Sequence, residues 1–272
     1  MEQKFSVLLY IHKKTNITWL KRSIKSILSG TILPNEIIAV VFGKVSQEAQ
    51  NILLEAQKHI NLQIISESLD YGRVTVLKMA LSKCSNELVA MQDVDTISLP
   101  HRFERQLKYF SEHPEVSVLG GWSQEIDNDT LLPLSICDVS EKQKEIKNYL
   151  RKSASLICHT VMFKKSAVLD IGGYKDFPMF ENEYLWPRLI GKGYKIAILR
   201  EILIQGRYNV GRDEILAFAY YHMKKELFSE LCDLDFVGPI AYYWLVCWYF
   251  VKYMILPNWL KNLFHMERLI LD

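Results

Sequence analysis

Two aspartates, Asp93 and Asp95, stand two residues apart in the run MQDVDTISLPHRFERQ, directly after the apolar segment ELVAM at 87–91. Carboxylates just past the tip of a buried strand face the crevice where open α/β sheets take their ligands. One such group can ligate a hard divalent cation that keeps water and draws its other ligands from substrate phosphates; a neighbouring one can accept hydrogen bonds from ribose hydroxyls. That chemistry suits a nucleoside diphosphate leaving group. As a bare tripeptide the same pattern also describes a turn with a helix cap, so its meaning rests on the elements around it.

Those elements are legible as alternating periodicities. FSVLLYI at 5–11 is a continuous apolar run, followed by Trp19, Leu20, Ile24, Ile27 and Leu28 at helical spacing and by Gly30 as a stop signal. The pattern recurs with EIIAVVF at 36–42 before a helical stretch through Leu53 and Leu54, and with LQII at 62–65 before Val74, Leu77, Met79, Ala80 and Leu81. Strands alternating with helices at this period indicate an α/β fold, a mostly parallel sheet flanked by helices. The first 100 residues therefore read as a Rossmann-like, nucleotide-binding half, although no G-x-G-x-x-G follows the first strand, which counts against a dinucleotide cofactor. Past Pro100 the pattern changes to a helix at 101–112, irregular strand candidates VSVLGGW and LICHTVMF, and a helix near 180–191. The expectation is one domain over 1–210, with 1–100 binding donor and 101–210 binding acceptor, and a helical extension over 211–272.

Composition bounds the rest. The chain has 272 residues, 49% apolar and 24% charged, with net charge +2, which excludes disorder and demands no nucleic-acid partner. Five scattered cysteines without a C-x-x-C pair suggest neither zinc nor a disulfide framework, and a reducing compartment fits best. The start, MEQKFSVLLYIHKK, lacks the features of a signal peptide. Between Pro239 and Pro257 lie 17 residues with Lys252 as the only charge and seven aromatics, followed by the amphipathic NWLKNLFHMERLIL. Tyrosine and tryptophan favour the headgroup region, so this tail reads as lying in or against a membrane surface. Packing on the catalytic core or on a second subunit, in an oligomer, is the other reading, and a spanning helix the third.

The run ELVAMQDVDTISLPHRFERQLKYF resembles the D-x-D segment of inverting family 2 glycosyltransferases of the GT-A fold, with Asp93, Asp95, Ile97, Ser98, Pro100, Arg102 and Gln106 in register. CHTVMFKKSAVLDIGGY at 158–174 and DFPMFENEYLWPRLIGKGYK at 176–195 resemble two further segments of that family. The resemblance implies transfer of a sugar from a nucleoside-diphosphate sugar, with uridine as the expected base, to a saccharide on a lipid carrier, in surface-polysaccharide synthesis at the cytoplasmic membrane face. It implies Mn2+ or Mg2+ held by Asp95 and Asp93, a donor site that also includes Tyr10, Phe42, Gly72 and Arg73, and an acceptor side with His159 and Trp186.

Two positions depart from the family pattern. Phe42 stands where an acidic residue usually meets uracil; it can stack on a base or serve the core, but it cannot accept an N–H. Asn182 stands where the catalytic-base aspartate is usual, which leaves Glu181 or Glu183, Glu181 being the preferred candidate. His159 also suits a structural role and Trp186 a core position. These losses leave a non-catalytic nucleotide-sugar-binding relative as the competing function.

Overall fold

The computed structural model describes residues 3–12, 15–67, 73–141, 145–148, 150, 156–175, 181–207 and 217–255. Its first strands are β1 (Phe5–His12), β2 (Glu36–Phe42), β3 (Leu62–Glu67) and β4 (Leu88–Asp93), joined in parallel in the order β3-β2-β1-β4. Helix α1 (Ile17–Leu28) begins where the Asn16 side chain accepts a hydrogen bond from the Trp19 backbone N–H, and α2 (Gln47–Ala56) where Ser46 does the same for Ala49. Alternation along the strands separates the two faces. Phe5, Val7, Leu9 and Ile11 of β1 and Ile37, Ala39 and Val41 of β2 join one core with Leu20, Ile24, Ile27, Ala49 and Leu53 of α1 and α2. Helix α3 (Arg73–Lys83) lies against the opposite face, where Val76, Leu77 and Ala80 approach Leu8, Tyr10 and Val40.

The second half is mixed. β5 (Thr96–Ser98) is followed by α4 (Arg102–Glu112), β6 (Val116–Ile126), β7 (Pro133–Cys137), a 3-10 turn at Cys158–Thr160, β8 (Met162–Lys164), α5 (Lys165–Asp170), α6 (Glu181–Gly191) and β9 (Lys195–Arg207). β8 lies antiparallel to both β4 and β6, β6 runs parallel to β9, and β5 and β7 pair antiparallel with β9 and β6. The segment LICHTVMF is thus not one strand. The Thr160 hydroxyl donates to the Ile157 carbonyl at 2.7 Å and accepts from the Gly121 N–H at 3.0 Å, so local side-chain bonding folds the first half of that segment into a turn.

The 13-residue β9 has no counterpart among the strands expected from sequence. Arg200 and Glu201 interrupt its apolar run, and the pairing register with β6 shifts there, around Gly121 and Trp122.

The chain divides into two compact units, Met1–Val210 and Gly211–Asp272. The second contains α7 (Ala217–Asp233) and α8 (Pro239–Phe250), the latter opened by Pro239 in its first turn and prolonged by a π-helical turn at Val251–Ile255. Edge-to-face contacts Phe228–Tyr249, at 5.3 Å between ring centroids, and Tyr221–Phe250, at 5.5 Å, hold the two helices together. Among the described residues no helix is long and apolar enough to cross a membrane.

Space is tight at Gly121, where an added Cβ would stand 2.3 Å from Cδ1 and 2.6 Å from Cγ of the buried Leu203. Gly121→Ala is therefore expected to lower the unfolding free energy by about 1–3 kcal/mol through overpacking, read by chemical denaturation.

Candidate active site

The D-x-D segment sits on a buried polar scaffold. Arg102, the first residue of α4, has no solvent exposure. Its guanidinium donates to the Met91 carbonyl at 2.7 Å, Gln92 Oε1 at 2.8 Å, Ser98 Oγ at 3.0 Å and Gln106 Oε1 at 3.3 Å. Those acceptors lie on β4, on β5 and on α4 itself, so one planar cation ties both ends of the β4–β5 connection to the helix. Burial pushes the Arg102 pKa down to about 9 while the negative charge of Asp93 pushes it back up, and the group stays charged at neutral pH. Gln92 completes the scaffold, its amide donating to Ser23 Oγ on α1 and to Thr96 Oγ1.

One helical turn on, Gln106 donates to the Thr160 carbonyl at 2.9 Å and to the Leu119 carbonyl at 3.3 Å. Residues four apart on a helix share a face. Arg102 therefore fixes the segment that carries the two aspartates, and Gln106 fixes the turn that bears His159.

On this base stand the partly exposed groups. Asp93 closes β4 beside Tyr10 of β1, its register partner, and the two border a small cavity of about 20 Å³. His159 Nδ1 lies 3.6 Å from Asp93 Oδ2, so the turn brings the histidine to the carboxylate. Asp95 is engaged elsewhere, with Oδ1 3.1 Å from Nη1 of Arg207 at the end of β9. Arg207 also donates from Nε to Asn128 Oδ1 at 3.3 Å, and its guanidinium lies 5.2 Å from the centre of the Trp19 ring. Neither Arg207 nor Asn128 was expected in the site. They lie 112 and 33 residues along the chain from Asp95, and no local spacing ties them to it. Nearer the sheet edge, a cleft of about 420 Å³ opens at the tips of β2 and β3 between Val41, Lys44, Val45, Leu53 and Ser66.

At the start of α6, Glu181 and Asn182 are both buried, at 3% and 5% exposure. Trp186, one turn further on, is fully buried, which favours the core position over a place on the acceptor side: the helix face that carries Leu185 and Leu189 turns the indole into the interior. No described residue hydrogen-bonds Trp186 Nε1 or Asn182 Oδ1. Arg188, in the same motif, donates to the Gly173 carbonyl at 2.8 Å and to that of Ile171, clamping a turn in which Gly172 and Gly173 have φ of +79° and +68°. Gly72 and the side chains of Phe42, Arg73 and Glu183 lie outside the described residues.

Among the described residues no group of three or more histidines, cysteines and acids forms a metal cage. Asp93 and Asp95 keep 43% and 24% of their side-chain surface exposed. Two accessible carboxylates fit a Mg2+ or Mn2+ ion that takes its remaining ligands from water and substrate phosphates, and do not fit a closed structural site.

Similarity to known proteins agrees with this geometry. The glycosyl transferase family 2 profile matches residues 6–172, more than half of the chain, and the chain belongs to that family. It is accordingly a glycosyltransferase, and its curled mixed sheet with flanking helices is the GT-A fold. An uncharacterized glycosyltransferase of Haemophilus influenzae is 30% identical over 76% of this chain and 77% of its own length. The Escherichia coli UDP-Gal:alpha-D-GlcNAc-diphosphoundecaprenol beta-1,3-galactosyltransferase is 26% identical over 76% of this chain and 74% of its own. The crystal structure of S. aureus TarS in complex with UDP-GlcNAc superposes with a TM-score of 0.70 at 14% identity, covering 93% of this chain and 76% of that one.

Arg102 and Asp95 separate scaffold from rim experimentally. Arg102→Met removes the charged donor from four buried acceptors and is expected to cost about 3–5 kcal/mol in urea unfolding. Asp95→Asn, which removes one partly exposed ion pair, should change stability by no more than about 1 kcal/mol.

Proposed function

We propose that this chain transfers a sugar, with inversion at the anomeric carbon, from a nucleoside-diphosphate sugar to a saccharide carried on a lipid, in the assembly of a surface polysaccharide. The observation that carries the reading is the pair Asp93 and Asp95, partly exposed at the tip of β4 and held from below by Arg102. Asp95 and Asp93 would hold Mn2+ or Mg2+, which when bound supplies Lewis-acid stabilisation of the departing diphosphate. The nucleoside runs along the strand tips toward β2. Two strand spacings separate β4 from β2, roughly 10 Å, and that is where the larger cleft opens. Uridine is the favoured base, with Tyr10, Phe42, Gly72 and Arg73 on its side of the site and Lys44 at the cleft wall.

On the acceptor side Glu181 takes the proton of the attacking hydroxyl, with Glu183 as the alternative base on the same helix. His159, beside Asp93, orients that carboxylate and faces the incoming acceptor. The acceptor's lipid fits a peripheral location on the inner membrane face. Ile240, Tyr243, Trp244, Val251, Met254 and Ile255 recur at helical spacing along α8 and the turn after it, and all are exposed. An outward apolar stripe rich in tyrosine and tryptophan suits the headgroup region.

A second reading, a nucleotide-sugar-binding relative without turnover, draws on Asn182, buried where a base aspartate would stand. Release of nucleoside diphosphate from a panel of nucleotide sugars, with Mn2+ and a lipid-linked acceptor, separates the two. Turnover should fall at least about 100-fold in Asp95→Asn and by about 10²–10⁴ in Glu181→Gln. Binding of nucleotide sugar with no turnover on any such acceptor would establish the second reading, and a dead Glu183→Gln beside an active Glu181→Gln would move the base. Sedimentation with anionic-lipid vesicles should be strong for the full chain and lost in a Tyr243→Ser, Trp244→Ser double variant; equal sedimentation of the two removes the membrane part of the proposal.

A further inference from the structure

Arg207 is held from three directions at the one place where a dication and a diphosphate would meet. The final rung of the β6–β9 ladder pairs Ile126 with Arg207, which sets the residue beside the turn containing Asn128. The antiparallel pairing of β5 with β9 brings its backbone N–H to the Asp95 carbonyl, at 3.4 Å. From there Nη1 reaches Asp95 Oδ1 and Nε reaches Asn128 Oδ1, while the guanidinium plane covers the Trp19 ring. The Arg22 guanidinium approaches the same ring at 5.1 Å, so two cations gather around one indole at the start of α1.

This arrangement has two electrostatic consequences of opposite sign. A dication approaching Asp95 meets a carboxylate already neutralised by a guanidinium and feels that guanidinium's repulsion. A diphosphate approaching the same place is attracted by it, and presents oxygens that match the planar fork better than one carboxylate oxygen does.

We propose that Arg207 is a positioning residue that holds Asp95 until a nucleoside diphosphate arrives, so that dication and diphosphate enter the site as a pair. When phosphate oxygens draw the guanidinium away, Asp95 becomes available as a ligand; without them it stays engaged. The inference rests on the assignment of Asp93 and Asp95 as the cation-holding acids. It adds that the affinity for the cation alone is kept low by a residue of this chain, and that the two ligands are coupled through that residue.

The test measures binding rather than turnover. Mn2+ binding is read from the electron paramagnetic resonance signal of the free ion, with and without UDP, and UDP binding by calorimetry in the presence of a chelator. Removing a unit charge about one side-chain length from a dication should tighten Mn2+ binding without nucleotide about tenfold in Arg207→Gln, while UDP binding without metal weakens about tenfold. Arg207→Lys, which retains the charge, should keep the Mn2+ affinity within about threefold of wild type. Arg207→Met keeps the contact over Trp19 and serves as the second charge-removing variant should Arg207→Gln melt early. A merely structural role would weaken both ligands together. That outcome, or an unchanged Mn2+ affinity in both charge-removing variants, overturns the inference and leaves the assignment of the acids intact. Should Asp95→Asn bind Mn2+ in the presence of UDP as tightly as wild type, the assignment itself falls, and the role of Arg207 with it.

Discussion

A buried guanidinium is the constraint on which the site depends. Arg102 is withdrawn from water altogether, and a cation in that position is tolerated only with its donors matched by acceptors. The matching is supplied by a backbone carbonyl of β4, the side chains of Gln92 and Ser98, and Gln106 on its own helix. The segment from β4 to β5 cannot shift without stranding several of these groups at once, so the two aspartates it carries are held in place before any ligand arrives. The cost of burial is offset further by the Asp93 carboxylate, whose charge favours the protonated guanidinium. The scaffold and the groups it positions are therefore electrostatically linked.

The same helix positions the opposite wall. Gln106, one turn after Arg102, bonds the turn that presents His159, so a single face of α4 sets the spacing between the aspartate segment and the histidine. Further along the chain the pattern repeats: the most recognisable residues of the second half are structural. Arg188 clamps the Gly172–Gly173 turn, and Trp186 is sealed in the interior. The motif residues thus divide into a buried set that fixes geometry and a thin, partly exposed set, Asp93, Asp95 and His159, to which the proposed chemistry falls.

Glu181 and Asn182 sit at the boundary between these sets. Both are nearly buried at the first turn of α6, where negative charge is favoured by the helix dipole. An amide at position 182 spares the protein the desolvation of a second carboxylate beside the first. In the proposed mechanism the base is then Glu181, and the amide beside it lets two adjacent polar residues be buried at the cost of a single carboxylate.

The sequence by itself determined the parallel half of the sheet, because its apolar runs alternate with helical spacing, most clearly in β1 and β2, each followed by an amphipathic helix, a local signal that survives without tertiary context. EIIAVVF became β2 residue for residue, and the D-x-D segment lies at the tip of β4. The tertiary structure alone decided what surrounds those acids. β9 is broken by Arg200 and Glu201 and carries no clean alternation, so neither the strand nor the arginine at its end was legible. LICHTVMF looked like one strand because its apolar residues are contiguous, whereas the Thr160 hydroxyl, which donates to the Ile157 carbonyl and accepts from the Gly121 N–H 39 positions away, makes half of it a turn. Local periodicity records which face of an element is buried. Which charged side chains meet across the sheet depends on strand pairing between distant segments, and the meeting of Arg207 with Asp95 exists only once that pairing has formed.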